Sequence, residues 1–339
     1  MTEKLLNGYT ARGATMDDLE TAVDLINTYS RHYLGMIEAP VEAIRNEWNS
    51  PGFTVEQNTR LVFSPEGQAV GYVEVWDTAN PPVHPWVWWC VHPEYQGNGV
   101  GPYLLNWAEE RARQAIERCP AETRIAYRSG ADSVIAPAKA VMEAAGMQNI
   151  RHSFHMLIEM EAPPPEPVWP EGIALKVFDL DKDDAAAVYR ADVEAFRDHF
   201  GFVESPFAEG FERFMHFMTD EDSYAPGLWF LAMDGDQITG ICLNRKQSYE
   251  DPDVGWVSTL GVLRPWRKRG IGLALLQHSF GEYYQRGFRK VGLGVDGENL
   301  TGALRLYQKA GMHVDRQFEL YEKELRPGQE ISVQHLESE

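Results

Sequence analysis

The chain spells one layout twice. "VHPEYQGNGVGPYLL" at 91–105 and "VLRPWRKRGIGLALL" at 262–276 each set a valine ahead of Gln96 or Arg267, then a glycine pair, Gly99/Gly101 or Gly270/Gly272. An "AAGM" at 144–147 and a "KAGM" at 309–312 close a later helical pattern in each copy, so the repeat is a whole domain and not a short-period solenoid. A length of 339 residues exceeds what one hydrophobic core usually fills, and two domains of ordinary size account for it. Between the copies lies "EAPPPEPVWPEG", whose prolines remove backbone donors and favour extended chain. We therefore place an N-terminal domain at 1–160, a linker at 161–172, a C-terminal domain at 173–327 and a polar tail at 328–339.

Both copies follow the same order of elements. In the second, "IALKVFDL" reads as a strand, "DKDDAAAVYRADVEAF" and "SPFAEGFERFMHFM" as helices, and "LWFLAMDGDQITGICLNR" as two strands about Asp234-Gly235-Asp236. Strand "VGWVSTLGVL", helix 271–286, strand "KVGLGV", helix 300–310 and strand "RQFELYEKEL" complete it. The first half has matching strands and helices, ending in a strand at 151–160. The expectation is α/β architecture, a mixed α+β sheet in each of two tandem domains.

Composition narrows the class. No stretch reaches the roughly 18 to 20 apolar residues of a membrane span, and "MTEKLLNGYT" lacks the apolar segment of a secretory signal. Three cysteines, Cys90, Cys119 and Cys242, cannot pair completely and lack metal-ligand spacing. A cytoplasmic protein without a metal is expected. The formal charge of -20 disfavours nucleic acid and anionic lipid as partners and favours the approach of cationic amines. Against that background, Arg264, Arg267, Lys268 and Arg269 form a local cationic exception.

A strand, a Gly-x-Gly and then a helix can bring an anion against a helix's first turn, where free amides and the positive end of the dipole point outward. Gly270 and Gly272 allow close backbone approach, and Arg267, Lys268 and Arg269 add charge, so a phosphate or pyrophosphate is the natural guest. The spacing fits neither GxGxxG nor GxxxxGK[ST]. In "VDGENLTGALRLYQKAGM", Asn299, Ala303 and Tyr307 fall at four-residue steps along one helical face. A tyrosine there can donate a proton to a leaving group, or it can be a core aromatic.

Together these segments resemble the acetyl-CoA signature of the GNAT superfamily of N-acetyltransferases. Arg267, Gly270 and Gly272 match [QR]-x-x-G-x-[GA], and Asn299, Ala303, Leu306, Tyr307 and Gly311 match the later segment. The resemblance implies two tandem GNAT domains and acetyl-CoA as acetyl donor, with direct transfer to the primary amine of a small molecule or peptide. It implies a bulged strand whose backbone at Leu260, Gly261 and Val262 holds the pantetheine arm, one amide of it also holding the oxyanion. The loop Arg267, Lys268, Arg269, Gly270, Ile271 and Gly272 would take the pyrophosphate. Asn299 and Ala303 would steady the cofactor, and Tyr307 would protonate the thiolate.

In the first copy, Val91, Gln96, Gly97, Gly99 and Gly101 keep the loop, but the tyrosine position is Met142, the asparagine position is Val134, and Pro137 shortens the helix. A thioether is no acid, so this copy is read as degenerate. The layout is similar to that of the mycothiol synthases, whose strand glutamate suited to base work is replaced here by Trp256. Glu194, Asp198 and His199 are left as acceptor-side candidates. The alternative from another class is a catalytically silent CoA-binding or sensor protein built from paired GNAT domains.

Overall fold

The computed structural model describes residues 8–220, 224–298 and 302–334, and the chain divides into two compact units. Unit 1 takes Met1–His152, Ser205–Phe217 and Phe318–Ile331, and unit 2 takes Ser153–Glu204, Met218–Gln317 and the residues from Ser332 on. Along the first half run β1 (Thr10–Arg12), α1 (Leu19–Leu34), α2 (Val41–Trp48), α3 (Val55–Asn58), β2 (Thr59–Phe63), β3 (Ala69–Trp76) and β4 (Trp86–Val91). Then come α4 (Val100–Ala112), β5 (Ile125–Asp132), α5 (Ala136–Ala144) and β6 (Gln148–Glu159). The second half supplies β7 (Ile173–Val177), α6 (Ala185–Phe196), α7 (Phe207–Met218), β8 (Tyr224–Asp234), β9 (Gln237–Arg245) and β10 (Val254–Val262). It closes with α8 (Ile271–Gln285), β11 (Lys290–Asp296), α9 (Ala303–Lys309) and β12 (His313–Arg326).

The last strands are exchanged. Unit 1 is a sheet in the order β1-β2-β3-β4-β5-β12, and unit 2 one in the order β7-β8-β9-β10-β11-β6. Among the described strands of each, the parallel pair is the fourth with the fifth, β4 with β5 and β10 with β11. β12 lies antiparallel to β5 from Phe318↔Asp132 to Arg326↔Ile125, and β6 lies antiparallel to β11 from Ser153↔Asp296 to Glu159↔Lys290. The compact units are thus not contiguous along the chain as the linker alone suggests. Because the copies share one pattern, the closing strand of each half fits the fifth strand of either. Helix α7 crosses likewise: in unit 1 His216 Nε2 lies 2.7 Å from the carbonyl of Asn46, and Asn80 donates to Glu209 at 3.1 Å.

Within unit 2 the sheet is covered on both faces. A Cβ built on Gly240 would meet Ile271 and Leu275 of α8 at 3.1 Å, whereas one built on Gly261, opposite the next residue Ile241, would lie 2.7 Å from Ala195 of α6. Side chains alternate across a strand, so α6 and α8 occupy opposite faces. The α8 face buries Phe230, Cys242, Val257, Leu275, Leu276, Phe280, Val291 and Leu293 in one cluster. Asp184 caps α6, its carboxylate accepting from the amide of Ala186 at 2.9 Å.

In unit 1 the borrowed strand is pinned by charge. Glu322 of β12 accepts from Arg124 at 2.7 Å and from Arg128 of β5 at 2.9 Å, and Glu322 and Arg128 are both buried. Removing one member of such a network strands the others away from water. Glu322→Ala should lower unfolding free energy by about 3 kcal/mol in denaturant titrations at neutral pH; an unchanged midpoint would show that β12 is held by backbone pairing alone.

Candidate active site

The site in unit 2 starts where two strands part. β10 and β11 pair in parallel from Val254↔Lys290 to Val257↔Leu293, and the pairing ends there, although both strands continue. At the same point the register of β10 with β9 slips between Val257 and Thr259, which makes Ser258 a bulge. The extra residue puts both Val257 and Leu260 against the α8-face cluster, where strict alternation would send them to opposite sides. The expected bulge therefore exists but lies at Ser258, while Leu260, Gly261 and Val262 stay in register with Cys242, Ile241 and Gly240. Their other edge, toward β11, has no strand partner among the described residues.

The loop that follows holds its shape with a clamp. A short 3-10 turn at Arg264–Trp266 leads to Arg267, Lys268 takes a φ of 63°, and Gly270, at φ 95°, opens α8. That left-handed position favours glycine, and nothing lies within 4 Å of a Cβ built there. Amides in the first turn of α8 have no helical carbonyl to bond and point outward. Gly272 serves packing, since a Cβ there would come within 3.2 Å of Leu306 of α9.

Arg267 does not present its guanidinium to the loop. It donates from Nε to the carbonyl of Val262 at 2.9 Å, from Nη2 to that of Ala195 at 2.9 Å, and from Nη1 to Asp198 at 2.6 Å. Its expected role as a phosphate cation is corrected to that of a tie between α6 and the end of β10. Arg264 is exposed but bonded to Asp198, and Lys268 and Arg269 are the loop's other exposed cations. Asp198, expected as an acceptor-side base, is also corrected. Buried at 4% exposure, it accepts from Arg264 Nε at 2.7 Å as well as from Arg267, and the Arg264 hydrogen bond leads in holding its carboxyl down at about 2. So weak a base accepts no amine proton.

The other candidates separate in the same way. Glu194 pairs on the surface with Arg197 at 3.0 Å. His199 stacks edge-on against Phe196, with ring centroids 4.4 Å apart, and Phe196 in turn touches the Gly261 position. Burial lowers its pKa, opposed mainly by the charge of Asp296, which ends β11. Asp192, which sequence reasoning did not single out, is pushed up to about 6 by burial alone. Its helical pattern gave no sign of this, because an aspartate between Ala191 and Val193 reads as a solvent position.

Tyr307 sits on the other face. It belongs to the α8-side cluster with Val295, Leu293 and Cys242, is 6% exposed, and burial raises its pKa. Among the described residues its hydroxyl has no hydrogen-bond partner. Gly302, at φ 81°, precedes α9, which begins at Ala303, and Asn299 lies outside the described residues. In unit 1 the position of Tyr307 is Met142, fully buried, and that of Asn299 is Val134, 65% exposed. Gly97 and Gly99 there take φ of 76° and 74°, Gly101 packs near Trp89 and Val141, and the pairing of β4 with β5 ends at Val87↔Ser129, short of Val91. Gln96 donates to the hydroxyl of Tyr33 on α1.

The comparisons with known proteins agree with this geometry. The acetyltransferase (GNAT) family profile matches residues 22–127 and again 185–312. The chain belongs to the GNAT family. It is an N-acetyltransferase of the kind that uses acetyl-CoA as donor, with the GNAT domain in tandem. A GCN5-related N-acetyltransferase from Sphaerobacter thermophilus is similar in structure, with a TM-score of 0.79 and 36% identity over 97% of this chain and 100% of that one. A mycothiol acetyltransferase from Amycolatopsis mediterranei is 28% identical over 74% of this chain and 79% of its own. An S-alkylcysteine N-acetyltransferase from Bacillus subtilis is 26% identical over 33% of this chain and 65% of its own. No helix among the described residues is long and apolar enough to cross a membrane.

The residues fit the donor. Beyond the glycine at Gly270 and the outward amides, Ser258 Oγ is buried at the bulge without a hydrogen-bond partner among the described residues, as a site awaiting a polar chain would be. The clamp itself is testable. With its pKa depressed, Asp198 contributes stability that is complete above about pH 3.9 and lost as pH falls through about 2. Asp198→Asn should therefore cost about 2 kcal/mol at pH 7, and urea titrations should find the difference shrinking below pH 3; a constant difference would assign the cost to packing.

Proposed function

We propose that the chain acetylates the primary amine of a small molecule and that unit 2 carries the reaction. Bound acetyl-CoA supplies the activated acetyl thioester. The amides of Lys268 to Gly272, with the Lys268 and Arg269 side chains, hold the pyrophosphate at the start of α8. The free edge of β10 from Ser258 to Val262 binds the pantetheine arm, and Ala303, in the first turn of α9, packs beside it. Tyr307 donates its proton to the departing sulfur. The single observation that carries this reading is the asymmetry at one position: a buried tyrosine in unit 2 and a methionine at the matching place in unit 1.

Holding the two reactants in one cleft supplies much of the rate. The net charge of -20 raises the local concentration of cationic amines. The names of both curated relatives point to acceptors bearing a thiol or thioether, so S-substituted cysteines head the acceptors to try, followed by amino sugars, polyamines and peptides. For unit 1 the observations favour a silent role. Val91 and the loop Gln96, Gly97, Gly99 and Gly101 can receive CoA phosphates through backbone groups, but no acid stands where one is needed.

Thiol release from acetyl-CoA with such a panel tests the assignment. Amine-dependent release that falls about 10²-fold in Tyr307→Phe, with little change in KM for acetyl-CoA, is expected. Full turnover in that variant would move the reaction away from Tyr307. No release with any amine, despite tight CoA binding, would leave the silent CoA-binding reading.

A further inference from the structure

The following inference rests on the assignment of catalysis to unit 2. We propose that His199, paired with Asp296, is the general base that takes the proton from the acceptor amine, on the face of the parted strands opposite Tyr307.

The two faces are fixed independently. Val291, Leu293 and Val295 of β11 lie in the α8-side cluster with Tyr307. Alternation then sends Gly292, Gly294 and Asp296 to the α6 face. Trp256 confirms the assignment, because its ring comes within 2.8 Å of a Cβ built on Gly292. Nothing lies within 4 Å of the Cβ position of Gly294, so the floor between Trp256 and Asp296 is open on that face.

Helix α6 brings His199 to this floor. One flank, with Ala187, Arg190 and Ala191, lines a cavity with Lys176, Leu231 and Met233 over β7 and β8. Its last turn, Ala195 and Phe196, rests on Gly261 of β10. His199 follows directly, its amide donating to the carbonyl of Phe196 at 2.9 Å and its carbonyl accepting from the amide of Phe202 at 3.0 Å. Backbone bonds on both sides and the ring contact with Phe196 hold the imidazole in place.

The charges that act on it are those of Asp296 from β11, Arg267 from the loop before α8, and Asp198 beside it in the chain. Asp198 is committed to Arg264 and Arg267, and the charge of Asp296 is the first to favour the imidazolium. Burial keeps the imidazole neutral at pH 7 and able to accept a proton. In the reaction the amine nitrogen bonds to the acetyl carbon while the C–S bond breaks. The N–H proton passes to His199, and the phenolic proton of Tyr307 passes to sulfur. Solvent then reprotonates Tyr307 and discharges His199, so the net change is amine plus thioester to amide plus thiol.

Two measurements decide it. In NMR titrations, Asp296→Asn should lower the pKa of His199, because the anion that raises it is gone; an unmoved pKa would dissolve the pair. With any amine that turns over, His199→Asn should lose about 10²-fold or more in kcat at pH 7. KM for acetyl-CoA should hold, and the loss should shrink as pH approaches the amine's own pKa. Full kcat in His199→Asn, or a loss found only in Asp192→Asn, would overturn the proposal. If no amine turns over, it is the assignment of catalysis that fails, and the titration still decides the pair.

Discussion

Asp198 and the two arginines it holds fix nearly everything else about the site. One buried carboxylate joins Arg264, in the turn after β10, to Arg267, at the head of the glycine loop. Through Arg267 the same group reaches the carbonyls of Val262 and Ala195. A strand end, a helix end and a loop are thereby locked by one carboxylate shared between two guanidiniums. In a chain of net charge -20, two cations out of the cationic stretch are spent internally, and Lys268 and Arg269 stay exposed. The clamp also explains why the loop can be irregular, with Lys268 left-handed, without wandering: both ends are tied down.

The parting of β10 and β11 is the second constraint, and it follows from the sheet's composition of pairings. A parallel pair between two antiparallel flanks can open without unravelling, because each member keeps its other neighbour, β9 for β10 and β6 for β11. That is where the exchanged strand matters to the proposed site. β6 pairs with β11 as far as Ser153↔Asp296, well past the point where β10 has left, so Asp296 is held on a rigid strand. Without that partner the end of β11 would be a free strand.

Most of the fold is legible in the sequence. Hydrophobic alternation marks the strands, and the glycine punctuation marks both loop-to-helix junctions. Three features are not legible, each for a physical reason. The exchange of last strands is invisible because two copies of one pattern make the swapped and unswapped pairings equivalent locally. The direction of Arg267 is invisible because a motif records residue type and spacing, and the competing acceptor, Asp198, is distant in sequence. The elevated pKa of Asp192 depends on burial that a helical wheel with mixed flanks does not reveal. Tyr307 is the opposite case: burial makes it a core aromatic, and its hydroxyl, which no described residue engages, is what the proposed proton transfer would use.

The same scaffold, read twice in one chain, shows which parts of this site are architecture. At the head of the glycine loop the first copy ties Gln96 to Tyr33 of α1, and the second ties Arg267 to α6 and Asp198. Different chemistry performs the same mechanical task of binding the loop to the first long helix. The left-handed glycines at Gly99 and Gly270 are kept in both, since the helix start requires them. What differs is the pair of groups on the two faces of the parted strands. Met142 replaces Tyr307, and aligning Gly35 with Gly201 sets Tyr33, already bonded to Gln96, opposite His199. Unit 1 thus keeps the mechanics and differs at both of these positions, which is the pattern expected if those two groups, and not the loop, separate a working copy from a supporting one.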